Sequence, residues 1–103
     1  MATHKEKEQE KLKLLYDIYE QPMYRIAYAI LHHTEQAEDA VSDAFLRILK
    51  NLKKIGDVRS EKTKHYIISI IRSTAINQYR QNQRDSERYT VWDDRILQVP
   101  NQK

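Results

Sequence analysis

The chain has 103 residues, with 18 Lys and Arg against 15 Asp and Glu and a formal net charge of +3, which limits it to one small domain. It contains no Cys and a single Gly, which excludes disulfides, thiolate metal ligands, thiol nucleophiles and glycine-rich phosphate loops. No apolar run approaches the roughly 18 residues that a membrane span needs, and the polar amino terminus lacks the apolar centre of a signal peptide, so we expect a soluble cytoplasmic protein.

The amino-terminal third predicts one long helix that contains a proline. Residues 1–9 carry alternating charges and no apolar anchor, and we expect them to be disordered. From Glu10 onward, apolar residues follow helical spacing as far as Leu31. Because proline lacks a backbone donor and crowds the preceding turn, Pro22 predicts either a kinked helix or two helices that meet near Gln21.

The middle of the chain contains the clearest helix. Its apolar positions follow the i, i+3, i+4, i+7 rule without a gap and are Ala37, Ala40, Val41, Ala44, Phe45, Ile48, Leu49 and Leu52. Thr34 is the expected N-cap, and Gly56 is the expected C′ stop. The opposite side of this helix, called the acidic surface below, holds Glu38, Asp39, Ser42, Asp43 and Arg47. Such a surface is either simply solvated or a docking site for a basic or mixed-charge partner.

A polar connection, residues 57–62, leads into a third helix that we expect to end near Arg84. Ser60 or Thr63 is the expected N-cap of this helix. One side is apolar and holds Ile67, Ile70, Ile71, Thr74 and Ala75. The other side is polar and holds Ser69, Arg72, Ser73, Asn77, Arg80 and Arg84. Guanidinium, amide and hydroxyl groups on one exposed face are suited to contacts with a nucleic acid, although long arginines also cover solvated faces.

Tyr66 lies at the start of the third helix, close to the cations Arg59, Lys62 and Lys64. An aromatic ring can stack on an unstacked base while neighbouring cations neutralise the phosphates. On spacing alone, Tyr66 is equally well explained as a core aromatic.

Residues 86–103 are predicted to form a linker or tail, because clear periodicity is lost after Asp85. The apolar residues of this segment either pack on the bundle or dock elsewhere, and they are Val91, Trp92, Ile96, Leu97 and Val99.

No catalytic or metal-binding constellation is visible. His32 and His33 are adjacent, so on a helix they diverge by about 100° and cannot share a metal. Glu38 and Asp39 diverge in the same way and make a poor acid/base pair. We therefore expect neither enzymatic activity nor a cofactor.

The order of these pieces resembles region 2 of the sigma-70 family, especially its extracytoplasmic-function (ECF) group, over about residues 14–85. Residues 37–52 (AEDAVSDAFLRILKNL) resemble region 2.2, and residues 66–84 (YIISIIRSTAINQYRQNQR) resemble regions 2.3 and 2.4. Residues 19–31 are similar to the family's opening helix. The resemblance implies an all-α sigma region 2 bundle of three helices, or of four if the first helix breaks at Pro22.

The resemblance also implies a domain that binds the coiled coil of the largest subunit of core RNA polymerase and recognises and melts the promoter −10 element. Matching to the family assigns polymerase binding to the acidic surface. It assigns binding of the non-template single strand to Arg59, Lys62, Lys64, Tyr66, Ser69, Arg72, Ser73, Asn77, Arg80 and Arg84. The sequence departs from the family pattern at Ser42, Tyr66, Ser73 and Asn77, where Gln, Trp, Asn and Asp are usual.

A full ECF factor carries a second helical domain that binds the −35 element, and nothing after Asp85 is long enough to hold it. We therefore expect either an excised domain or a separate partner that supplies this function, with the tail as a linker or as a contact for that partner or for an anti-sigma factor. Two alternatives remain open. One is a small helical regulator of duplex DNA, which needs a short helix-turn-helix, and the other is a protein-interaction adaptor without DNA binding.

Overall fold

Three α-helices and one short 3₁₀ helix form the protein in a computed structural model, which describes the backbone of residues 4–97 and the side chains of residues 5–86. The helices are α1 (His4–Leu31), α2 (Thr34–Lys50) and α3 (Glu61–Leu97), and the 3₁₀ helix (Leu52–Lys54) follows α2. Each of the three α-helices packs against the other two. The prediction of an all-α bundle is confirmed.

The core lies where the three helices meet. Its largest fully buried side chains are Leu15, Met23, Ile48, Ile67 and Ile71. Thr74 and Ala75 are also buried, so the predicted apolar side of α3 faces inward. The predicted stripe of α2 is buried except at its edge, where Phe45 is half-buried and Leu49 is 48% exposed.

The structure corrects the start of the first helix. α1 begins at His4 rather than at Glu10, so residues 4–9, expected to be disordered, are helical. Residues 5–10 consist of Lys, Glu and Gln, which have high intrinsic helix propensity, and this support does not require an apolar anchor.

α1 is continuous through Pro22, so the bundle has three α-helices and not four. Pro22 removes one helical hydrogen bond, to the carbonyl of Ile18. Tyr19 and Met23, which lie on either side of Pro22 in the sequence, are both buried. Because tertiary packing provides most helical stability in proteins, this burial holds the helix together across the proline.

The ends of α2 differ from the prediction. The N-cap is His33, whose Nδ1 accepts a 3.2 Å hydrogen bond from the backbone N–H of Gln36, and Thr34 is the first helical residue. α2 does not continue to Gly56, the predicted C′ residue, since it ends at Lys50 with Asn51 as its C-cap and the chain turns into the 3₁₀ helix. This turn buries Leu52, which is only 4% exposed.

α3 is capped by Ser60, one of the two predicted residues, whose Oγ accepts a 3.1 Å hydrogen bond from the N–H of Thr63. The helix continues to Leu97 instead of ending near Arg84. Neither Gly nor Pro occurs between Arg84 and Leu97, so no residue in this stretch breaks the helix. The predicted docking of Trp92 and the other apolar residues of the tail lies outside the described side chains. None of the helices in residues 4–97 combines the length and apolar character that crossing a membrane requires.

Candidate nucleic-acid interface and docking surface

The outer face of α3 presents its predicted polar residues to solvent. All six are exposed, namely Ser69, Arg72, Ser73, Asn77, Arg80 and Arg84. The structure brings the first three together along a shallow cleft of about 450 Å³ that His65 and Ile76 also line. The face is therefore an open surface on which hydroxyl, amide and guanidinium groups are available to a ligand.

The second half of α3 is held by a polar bridge to α2. The Asn82 Nδ2 donates a 2.6 Å hydrogen bond to Gln36 Oε1, and Gln78 Nε2 donates a 2.9 Å bond to Asn82 Oδ1. No side chain between residues 76 and 86 is fully buried. The bridge therefore fixes the position of Arg80 and Arg84 relative to the bundle. Sequence reasoning missed it, and the only signal was two amides four residues apart.

The connecting loop, residues 55–60, is tied to α1. Lys11 Nζ donates a 2.6 Å hydrogen bond to the carbonyl of Ile55, and the Tyr19 hydroxyl donates a 2.7 Å bond to the carbonyl of Val58. Burial raises the pKa of Tyr19 above its usual value, and the nearby carboxylates of Glu61 and Asp57 raise it further. Lys11 and Tyr19 were not predicted to have this role.

The same loop is tied to α3. Thr63 Oγ1 donates a 2.7 Å hydrogen bond to the carbonyl of Asp57, and Ser60 Oγ donates a 3.1 Å bond to Thr63 Oγ1. Asp57 Oδ1 also accepts a 3.0 Å bond from the backbone N–H of Arg59. The loop is thus held by α1 on one side and by α3 on the other.

A cleft of about 600 Å³, called the Tyr66 cleft below, opens beside this loop. Its lining residues are Lys54, Ile55, Gly56, Asp57, Ser60, Lys62, Thr63 and Tyr66. Tyr66 is half-buried and packs on the core while it lines the cleft, so it is in part a core aromatic, and its stacking on a base stays a prediction. Arg59 and Lys64 are exposed nearby without lining the cleft. The site offers a ring, two cations, one carboxylate and backbone groups to a ligand.

The acidic surface on α2 is exposed at all five predicted positions, Glu38, Asp39, Ser42, Asp43 and Arg47. Among the described side chains, none pairs with Glu38, Asp39 or Asp43. These carboxylates are therefore free to meet a cationic partner.

A groove of about 750 Å³ between α1 and α2 adjoins the acidic surface, because Glu38 and Ser42 line it. Its other walls include Tyr16, Phe45 and Leu46. The rings of Tyr16 and Phe45 lie 5.2 Å apart, and Tyr16 and Leu46 are 46% and 58% exposed. Sequence reasoning missed this groove, because a single exposed Leu is ordinary and only a contiguous apolar patch, which the fold assembles from two helices, marks a binding surface.

Tyr16 in this groove also contacts a carboxylate. Its hydroxyl donates a 2.7 Å hydrogen bond to Glu20 Oε2. That hydrogen bond, with the negative charge of Glu20, raises the pKa of Tyr16. The groove thus combines apolar surface with negative charge, whereas the α3 face and the Tyr66 cleft carry positive charge on different residues.

The sigma-70 region 2 family model matches residues 15–85. The chain belongs to the sigma-70 region 2 family. The match includes every residue of the acidic surface and of the α3 face, and it ends at Asp85, within α3.

The region 2 chain is also similar to the ECF RNA polymerase sigma factor SigX of Bacillus subtilis (strain 168). The two are 32% identical over 75 residues, which cover 73% of this chain and 38% of SigX. The chain therefore spans less than two fifths of the length of this curated relative. No solved structure matches the chain significantly.

Proposed function

We propose that this region 2 domain acts in transcription initiation. It binds core RNA polymerase through the acidic surface and the adjoining groove, and it binds the single-stranded promoter −10 element through α3 and the Tyr66 cleft. The observation that carries the proposal is the exposure of Arg72, Asn77 and Arg80 on α3, on a different helix from the exposed carboxylates of α2.

The α3 face contacts the strand along its length. Arg72, Arg80 and Arg84 bind phosphates, because guanidinium groups match phosphate oxygens and remain charged. Ser73 and Asn77 lie between these cations along the helix and offer hydrogen bonds to base edges or to the backbone. The hydrogen bond from Asn82 to Gln36 holds against α2 the part of α3 that carries Arg80 and Arg84.

The Tyr66 cleft receives a base that has left the duplex. Unstacking such a base costs a few kcal/mol, and stacking on an aromatic ring returns about 1–3 kcal/mol per base. Tyr66 supplies the ring, and Lys62 in the same cleft lies where it can neutralise an adjacent phosphate. No covalent bond changes, so the domain melts DNA by binding the open form.

Polymerase docking uses charge and apolar contact together. Asp39 and Asp43 attract a basic or mixed-charge helix, as expected for the coiled coil of the largest subunit. The exposed side chains of Tyr16 and Leu46 supply the apolar area. Electrostatic complementarity sets the association rate and the orientation, while the buried apolar contacts hold the complex.

Charge reversal tests the docking surface. The Asp39→Lys and Asp43→Lys variants should lower the affinity for core RNA polymerase by about tenfold or more, because each replaces an attraction by a repulsion. Glu10→Lys is the matched control, since Glu10 is an exposed carboxylate on α1 outside the groove. Unchanged affinity in the two α2 variants would refute the docking proposal.

The DNA proposal is tested with the full chain bound to core polymerase. Affinities for a −10-like single strand, a scrambled strand and a duplex are compared across salt concentrations, with wild type and Arg72→Ala. We expect preference for the −10-like strand, and loss of one phosphate contact should reduce the salt slope by about 0.7. Preference for the duplex would favour the duplex-binding regulator, and the absence of any contribution to DNA binding would favour the adaptor.

A further inference from the structure

We propose that a second basic cleft binds the phosphate backbone of the nucleic-acid strand that extends from the Tyr66 cleft, an inference that rests on the proposed function. This lysine cleft has a volume of about 600 Å³ and lies between the start of α1 and the end of α2. Four lysines line it, namely Lys5, Lys50, Lys53 and Lys54, together with the single carboxylate of Glu8.

The four lysines come from three separate elements and converge on one cleft. Lys5 is in the first turns of α1, Lys50 ends α2, and the other two belong to the 3₁₀ helix. All four are exposed, and none of them pairs with a carboxylate among the described residues. Leu12 and the exposed Leu49 also line the cleft, so it offers an apolar surface for sugars or bases beside the cations.

Lys54 connects the two clefts, because it lines the lysine cleft and the Tyr66 cleft alike. The connection is firm. Lys11 binds the carbonyl of Ile55, the next residue, and so holds this part of the chain against α1. A strand with one base beside Tyr66 can therefore run its backbone past Lys54 into the lysine cleft.

The position of Lys5 separates this proposal from a purely local explanation. Cations at the end of α2 are favoured by the negative end of that helix dipole, which accounts for Lys50 and its neighbours without any ligand. Lys5 lies at the opposite, positive end of α1, where the dipole disfavours a cation. The dipole also favours the carboxylates of Glu6 and Glu8 beside it, and it therefore does not explain Lys5 as it explains Lys50.

The test compares two single-stranded −10-like oligonucleotides bound to the full chain with core polymerase. One is short, and the other carries about six further nucleotides, a length within the range that one single-strand-binding fold covers. The Lys50→Gln/Lys53→Gln variant should bind the short strand like wild type. It should bind the extended strand about five- to tenfold more weakly, with a salt slope smaller by about 1.4 for two lost contacts.

Lys13→Gln is the control, because Lys13 is an exposed lysine of α1 that does not line the cleft, and thermal unfolding verifies that all variants remain folded. Equal affinities of wild type and the double variant for the extended strand would overturn this proposal. If Arg72→Ala then still lowered the affinity for both strands, the proposed function would stand without the lysine cleft. Failure of wild type to bind either strand would overturn both. Weaker polymerase binding with unchanged DNA binding would overturn it too and would assign the cleft to an acidic protein surface.

Discussion

The hydroxyl of Tyr19 donates a 2.7 Å hydrogen bond to the carbonyl oxygen of Val58, 39 residues further along the chain. Both residues are buried, so the bond is shielded from water on both sides. It joins the middle of α1 to the connecting loop that precedes α3. The wall of the Tyr66 cleft therefore depends on a residue of α1 that lies outside the candidate interface.

Removal of this hydroxyl should destabilise the protein. The Tyr19→Phe variant leaves the buried carbonyl of Val58 without its donor, and we expect a loss of about 1–2 kcal/mol in the free energy of unfolding. Urea denaturation measures the change. Tyr16→Phe is the control, because its hydroxyl is exposed and bonds only to Glu20, and it should cost less than about 0.5 kcal/mol. Equal losses in the two variants would contradict the structural role of Tyr19.

The raised pKa of Tyr19 predicts a dependence of stability on alkaline pH. Tyrosine in the unfolded chain titrates near pH 10, whereas burial, with Glu61 and Asp57, keeps Tyr19 protonated to higher pH in the folded protein. The stabilising contribution is therefore complete below about pH 10 and is lost as the pH rises through the raised pKa. The free energy of unfolding, measured by denaturation between about pH 9 and pH 11, should fall more steeply with pH in wild type than in Tyr19→Phe. Parallel curves would show that Tyr19 is not the group responsible.

Replacement of each of two buried threonines on α3 by valine should change the free energy of unfolding in opposite directions. Thr74 Oγ1 is buried without a hydrogen-bond partner among the described residues, so Thr74→Val should raise the free energy of unfolding by about 1 kcal/mol. Thr63 Oγ1 donates to the carbonyl of Asp57, so Thr63→Val should lower it by about 1–2 kcal/mol. Chemical denaturation of both variants provides the comparison. A shared sign would mean that the hydroxyl contacts do not determine the outcome.

The bridge between α2 and α3 predicts energetic coupling between Gln36 and Asn82. A double-mutant cycle with Gln36→Ala and Asn82→Ala should give an interaction energy of about 0.5–1.5 kcal/mol. The matching cycle with Gln83→Ala should give none, because Gln83 is exposed one position away. Thermal or urea denaturation of the four proteins of each cycle supplies the energies. Additive effects in the first cycle would show that the 2.6 Å contact contributes no stability.

The sequence predicted the helices and their faces because the signal is local and periodic. Ile67 and Ile71 are four residues apart and both are buried, while Arg72 and Arg80 fall on the opposite side and are exposed. Burial of an apolar stripe is the dominant favourable term in folding, so a pattern that specifies the stripe also specifies which residues remain available to ligands.

The details that sequence reasoning missed depend on backbone angles or on distant contacts. His33 rather than Thr34 caps α2 because His32 adopts a left-handed conformation, with φ of 54°, and the following residue has extended angles. The bond from Lys11 to the carbonyl of Ile55 joins residues 44 apart. Neither the left-handed turn at His32 nor the contact between Lys11 and Ile55 produces a periodic pattern in the sequence.

The double attachment of the connecting loop also has a kinetic consequence. Since α1 and α3 already restrain this segment, its conformational entropy is lost when the protein folds and not when a ligand arrives. Under the proposed function, a base that entered beside Tyr66 would meet a receptor whose shape exists beforehand, and recognition would proceed by fit to a rigid template and not by mutual adjustment. Promoter opening would then be limited by how often the duplex exposes a base, and hardly at all by rearrangement of the protein.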